Sequence, residues 1–160
     1  MQIFDFNKNS DISDWKITND VVMGGESEGH FILNENGHGV FKGNVSLENG
    51  GGFSSVSYQF EPIRVKQYSK IILSLKGDGK MYQFRVKVDR TQRHSYNYKF
   101  VTNGNWQTFE IPLAKFYPIF RGRKLDLLNF SENIISEITF LIANKSEQSF
   151  ELQIANISLE

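Results

Sequence analysis

Polar and apolar residues alternate one by one through most of this chain, which is the period of a strand with one buried face. In "MYQFRVKVD", Tyr82, Phe84, Val86 and Val88 fall on one side, and Gln83, Arg85 and Lys87 fall on the other. "SYNYKF" repeats the pattern with Tyr96, Tyr98 and Phe100, and "KIILSLKG" does so with Ile71, Leu73 and Leu75. "WQTFEIPL", "SEITFLIA" and "SFELQIANISLE" read the same way, and "HFIL", "GVFKGNVSL" and "FSSVSYQF" are shorter candidates. Turn residues separate the runs: Asn36-Gly37, Asn49-Gly50-Gly51-Gly52, Gly77-Asp78-Gly79 and Asn103-Gly104-Asn105. Roughly nine or ten strands at this spacing, with almost no helical period, predict an all-β antiparallel sandwich or barrel. The expected core contains Trp15, Phe84, Val86, Val88, Trp106, Phe109, Ile111, Phe140, Phe150 and Leu152.

One segment interrupts the alternation, "AKFYPIFRGRKLDLLNFSEN" over 114–133. It is long for a sandwich connection, and long loops tend to carry function. Within it "KLDLLNF" is compatible with a helical turn. No repeat, linker or low-complexity tract divides the chain, so its 160 residues are expected to form one domain, 1–160.

Composition narrows the function. The aromatic content (14 Phe, 6 Tyr, 2 Trp) supplies a core large enough to need no metal or disulfide staple. Lys+Arg and Asp+Glu both total 18, so the basic excess typical of a nucleic-acid binder is missing and nucleic acid is not an expected partner. Cysteine is absent, which excludes thiol catalysis, Cys-ligated zinc and disulfides. No window approaches the roughly 18 apolar residues of a membrane span. The N-terminal stretch lacks the marks of a signal or transit peptide, so the expected compartment is the cytoplasm.

Four stretches carry candidate chemistry. "NDVVMGGES" places Asn19, Asp20, Met23, Gly24 and Gly25 together. It is no phosphate loop, because Walker A needs Gly-Lys-Ser/Thr where this chain has Gly25-Glu26. Its glycines suit a turn or bulge, and Asn19 and Asp20 suit either local capping or ligand contact. "GGGFSSV" opens a strand with glycines that admit a close neighbour. "VDRTQRHSYNY" brings Asp89, Arg90, Arg93, His94 and Tyr96 into a strand–turn–strand, either as an Asp–Arg pair across the turn or as a polar cluster beside an aromatic platform. "PIFRGRK" sets Arg121 and Arg123 around Gly122, two fork-shaped donors suited to carboxylate or phosphate, or a solvated basic loop. Asp78 and Asp89 are the positions where an oxygen-ligated calcium ion would fit. His30, His38 and His94 lack metal-ligand spacing, no Ser sits in a G-x-S-x-G elbow, and no cofactor motif is present.

Six motifs appear in order: "W-x-x-x-N-D-V-V-M-G-G-x-S", "G-G-F-S-S-V", "G-D-G", "D-x-x-x-x-x-x-Y", "W-x-x-F-x-I-P-L-x-x-F-x-P-x-x-R-G-R" and "F-x-L-x-I-x-x-I". Together they resemble the complex I intermediate-associated protein 30 family over nearly the whole chain, the first and fifth being the specific ones. The resemblance implies a galactose-binding-domain-like jelly-roll β-sandwich of two antiparallel sheets, related in shape to carbohydrate-binding modules. It also implies that mitochondrial members assist assembly of respiratory complex I by binding rather than catalysis. This chain looks like the bare domain, without those members' transit peptide and extensions.

The expected function is therefore non-catalytic binding of a protein partner, such as a respiratory-complex subunit. A carbohydrate-binding module is the alternative, and a small-ligand enzyme the third possibility. Asn19, Asp20, Asp89, Arg90, Tyr96, Arg121 and Arg123 are expected to converge in the fold. The convergence would serve recognition or would be a structural tie in which Asp20 pairs with Arg90 or Arg121.

Overall fold

The computed structural model of the chain describes residues 1–20 and 24–160. The alternating segments form β1 (Gln2–Asp5), β2 (Trp15–Asn19), β3 (Glu28–Leu33), β4 (Gly39–Val45), β5 (Ser54–Arg64), β6 (Lys70–Lys76) and β7 (Met81–Lys87). They continue as β8 (Ser95–Val101), β9 (Trp106–Pro112), β10 (Tyr117–Phe120), β11 (Arg123–Lys124), β12 (Ile134–Ile142) and β13 (Gln148–Leu159). Helical structure is limited to short 3-10 pieces among the described residues, including single turns at Glu48–Gly50 and Leu113–Lys115.

Among the described residues all strand pairs are antiparallel, and they make two sheets. One runs β3-β4-β13-β6-β9, with β1 pairing the far half of β13; the other runs β11-β10-β8-β7-β12-β5-β2. Period two then decides what each sheet buries. Phe41, Leu73, Leu75, Leu152 and Ile154 of the first sheet meet Val56, Phe84, Val86, Ile138 and Phe140 of the second, all essentially inaccessible. Trp15 closes one side of this core, its ring stacked 5.0 Å from Tyr58 and 4.8 Å from Phe31.

One expected core residue is placed differently. Trp106 is 44% exposed, whereas Phe109 is partly buried and packs against the core, its ring 5.0 Å from Phe100. The reason for Trp106 is parity: in β9 it has the opposite phase to Phe109 and Ile111, so it lies on the outer face of an edge strand, 4.6 Å from the His38 ring. "KLDLLNF" is not helical. Leu125 N–H bonds Pro118 C=O, and Phe130 N–H bonds Phe116 C=O, which ties this stretch to the β10 edge and leaves Leu127 and Leu128 exposed.

Candidate functional site

Asp20 follows β2 and is completely buried. Its carboxylate accepts hydrogen bonds from Ser27 N–H (2.9 Å), Ser27 Oγ–H (2.5 Å), Phe53 N–H (3.1 Å) and Gly52 N–H. Burial alone would raise its pKa, but the Ser27, Gly52 and Phe53 donors outweigh that effect and hold the carboxyl below its ordinary value. The neighbouring glycines make room for it. A Cβ on Gly25 would lie 2.4 Å from the Asp20 Cγ, and one on Gly51 would lie 2.5 Å from its Oδ2. Asn19 Oδ1 accepts from Ser54 Oγ at 2.6 Å. Asn19, Asp20 and Gly25 therefore latch the "NDVVMGG" segment to "GGGFSSV", while Gly24 turns at φ +90°. Met23 lies outside the described residues.

The expected convergence of seven residues does not form. Asn19 pairs with Ser54 at the start of β5, whereas Lys87, just before Asp89, lines up with Glu137 and through it with Gln59. At about 3.4 Å per residue and about 4.8 Å per strand, the two groups are on the order of 20 Å apart. Asp20 pairs with neither Arg90 nor Arg121.

The other five residues share one end of the seven-stranded sheet but play separate parts. Asp89 Oδ1 accepts from Thr91 Oγ1–H, Thr91 N–H and Gln92 N–H, capping its own turn; these bonds hold its carboxyl below the usual range. Arg90 bonds Gln59 Oε1 rather than Asp89. Tyr96 is buried, so it is no ligand platform. Its ring meets Phe130 edge-on at 5.1 Å, and its hydroxyl lies 3.1 Å from Glu132 Oε1, which pins the long 125–133 segment. Arg121 and Gly122, both at positive φ, form the two-residue turn of the β10–β11 hairpin. Arg121 and Arg123 are exposed, and Arg93 and Arg121 each lie over the Phe120 ring, at 5.2 and 5.1 Å. Calcium at Asp78 would compete with existing partners, since its oxygens already accept from Tyr82 Oη, Lys80 Nζ and Glu151 N–H. No group of three or more His, Asp or Glu suited to a metal occurs among the described residues.

Chemistry of another kind gathers on the outward face of the seven-stranded sheet. The register aligns Ser57, Thr139, Arg85, Asn97 and Tyr117 in one row across β5, β12, β7, β8 and β10. Arg85 Nε–H donates to Asn97 Oδ1 (2.9 Å), and its Nη2 donates to Gln83 Oε1 (3.1 Å). Asn97 Nδ2 donates to the Tyr117 hydroxyl (2.8 Å), and Ser57 and Thr139 share a hydroxyl bond (2.7 Å). Asn97 is fully buried, and Gln83 and Thr139 nearly so. Burial pushes the Arg85 guanidinium pKa down, with the Tyr117 phenol opposing that shift. None of the ion pairs among the described residues includes Arg85. An open cleft of about 530 Å³ continues the same face toward Gln59, Lys87, Asp89, Arg90 and Glu137.

Sequence reading assigned Gln83, Arg85 and Lys87 to one strand face without marking them as a site. The available signal was a guanidinium flanked by large polar side chains in phase with it. Only the cross-strand register shows that Asn97 and Tyr117 meet it.

The family model described as Complex I intermediate-associated protein 30 (CIA30) matches residues 4–154. A relative named mitochondrial complex I intermediate-associated protein 30 from Drosophila melanogaster is 26% identical, covering 99% of this chain and 62% of its own length. The Mus musculus protein of that name is 24% identical over 95% of this chain and 53% of its own length. The chain thus spans less than two thirds of these relatives. Among solved structures, a family 11 carbohydrate-binding module from Clostridium thermocellum, in complex with a β-1,3-1,4-mixed-linked tetrasaccharide, superposes with TM-score 0.73 at 17% identity, covering 99% of this chain and 94% of the module. The agarase AgWH50C matches with TM-score 0.64 at 14% identity, over 100% of this chain and 24% of the agarase. At such identities the likeness is one of fold, a jelly-roll β-sandwich.

Proposed function

This chain belongs to the complex I intermediate-associated protein 30 family, and on that footing we propose that it is a non-catalytic recognition domain. The outward face of its seven-stranded sheet docks a protein partner of the kind its relatives' names indicate, an intermediate of complex I. The observation that carries the reading is Arg85. A desolvated guanidinium held by two amide oxygens and given no carboxylate is costly for the fold and useful for binding. In this reading the chain works in the cytoplasm, although the relatives' names are mitochondrial. No helix among the described residues is long and apolar enough to cross a membrane.

Carbohydrate binding is the second reading, favoured by the open cleft at Arg90 and Lys87. Against it, Tyr117, the aromatic ring in that row, is already covered by Lys124. Catalysis has less support. The cleft carboxylate of Asp89 is shifted in the wrong direction for a general acid, and Glu137 is bonded to Gln59.

The test uses purified chain mixed with solubilised complex I subassemblies on native gels. Wild type should co-migrate, and Lys99→Glu with Lys124→Glu on the docking face should abolish it. Lys42→Glu on the other sheet's outer face should not. Wild-type chain that runs free of every subassembly but is retarded in a gel containing mixed-linked β-glucan would replace this reading with the carbohydrate one.

A further inference from the structure

The docking reading leaves the chemistry of the partner open, and the face itself supplies an answer. Although the chain carries no net charge, its cations are unevenly placed. Strand phase puts Lys16, Arg85, Lys87, Lys99 and Lys124 on the outward side of the seven-stranded sheet, against Glu137, while the cleft adds Arg90 and the carboxylates of Glu61 and Asp89. The basic members surround Arg85, the most desolvated of them.

Arg85 is also the most tightly held. Asn97 and Gln83 both turn their amide oxygens toward it, and Asn97 is itself fixed by the Tyr117 hydroxyl. These bonds occupy Nε and one Nη2 hydrogen. Nη1 has no partner among the described residues. A guanidinium presents five N–H donors in a rigid plane and pairs best with a carboxylate, through two parallel hydrogen bonds. Ordinarily such a group is left free to move in water, or is paired if buried. Here it is immobilised, half-buried and unpaired, so the ordering cost of binding is largely met beforehand.

We propose that Arg85 is the receptor for a carboxylate side chain on an acidic segment of the protein partner, with Gln83, Asn97 and Tyr117 as its positioning residues. The inference rests on the docking reading and specifies its chemistry. The surrounding lysines steer an acidic strand or loop onto the face, and Arg85 fixes its register.

An oligoglutamate peptide is the probe. Titrated into ¹⁵N-labelled chain, it should shift the Arg85 Nε–H and Asn97 side-chain amide signals before those of the opposite sheet. Arg85→Met should weaken peptide binding by at least about tenfold, as expected when one half of a desolvated charge pair is removed. Arg85→Lys, which keeps the charge and loses the fork, should recover only part of it. Circular dichroism melting should show both variants folded. Unmoved Arg85 signals, or wild-type affinity in Arg85→Met, would overturn the proposal. So would tighter binding of oligogalacturonate than of oligoglutamate, which would make the carboxylate that of an acidic sugar. Capture of complex I subassemblies on native gels, run in parallel, separates the two claims: capture that survives Arg85→Met sinks the carboxylate receptor and leaves docking intact. Peptide binding at Arg85 without capture by wild type does the reverse.

Discussion

Replacing Asp20 with Ala should produce a stability loss that identifies this residue as a structural latch. The carboxylate is inaccessible to water and accepts four hydrogen bonds, from Ser27 N–H, Ser27 Oγ–H, Gly52 N–H and Phe53 N–H. A buried donor left without its acceptor costs about 1–3 kcal/mol. Water entering the vacated space offsets part of that, so the net loss is about 3–5 kcal/mol, a third or more of a typical domain's stability. The melting temperature should fall by roughly 10 °C for a chain of this size. Asp20→Asn keeps the shape but turns an NH₂ toward a donor, and should lose about half as much, roughly 2 kcal/mol. The sign with pH is fixed by the direction of the shift. The folded carboxyl lies below its ordinary value, so its contribution is present above the unfolded pKa of about 3.9 and is lost as pH falls through the folded one. Urea unfolding followed by tryptophan fluorescence at a series of pH values measures this directly. The gap between wild type and Asp20→Asn should be constant near neutrality and should narrow on acidification below about pH 4. A gap that stays constant into strong acid, or an Asp20→Ala loss under about 0.5 kcal/mol, as at an ordinary surface site, would refute the latch.

Other consequences follow from the same geometry. Gly25→Ala and Gly51→Ala place a Cβ against the Asp20 carboxylate and should each cost about 1–3 kcal/mol by overpacking, read from chemical denaturation. Phe84→Ala, at the centre of the sandwich, should cost about 3–5 kcal/mol, whereas Trp106→Ala on the outer face should change stability far less. Tyr96→Phe keeps the ring against Phe130 but loses the contact with Glu132. It should speed proteolysis within 125–133 at a stability cost of about 1 kcal/mol.

Strand phase was legible because each sheet has one buried side, so Phe84, Val86, Phe140, Phe150 and Leu152 could be assigned inward from alternation alone. The same rule, applied strictly, separates Trp106 from Phe109 and Ile111; grouping the three as core let aromatic character override phase. The non-helical course of "KLDLLNF" was not legible, because its backbone partners, Pro118 and Phe116, are remote from the local propensities. Asp20 looked like a ligand residue since two of its partners, Gly52 and Phe53, lie more than thirty positions away. Arg85 was passed over for the complementary reason. An outward Arg on a strand reads as solvated until the register sets Asn97 beside it and the fold leaves it out of the ion pairs found among the described residues.

The most direct test of the account compares stability with binding in one variant, Arg85→Met. Removing a desolvated cation that lacks a counter-ion relieves one cost and strands the buried Asn97 and Gln83 oxygens that accept from it, so the two effects oppose and the melting temperature should change little, while co-migration with complex I subassemblies is lost. A steep fall in melting temperature with binding retained would show that Arg85 serves the fold and is not the group that receives the partner's carboxylate.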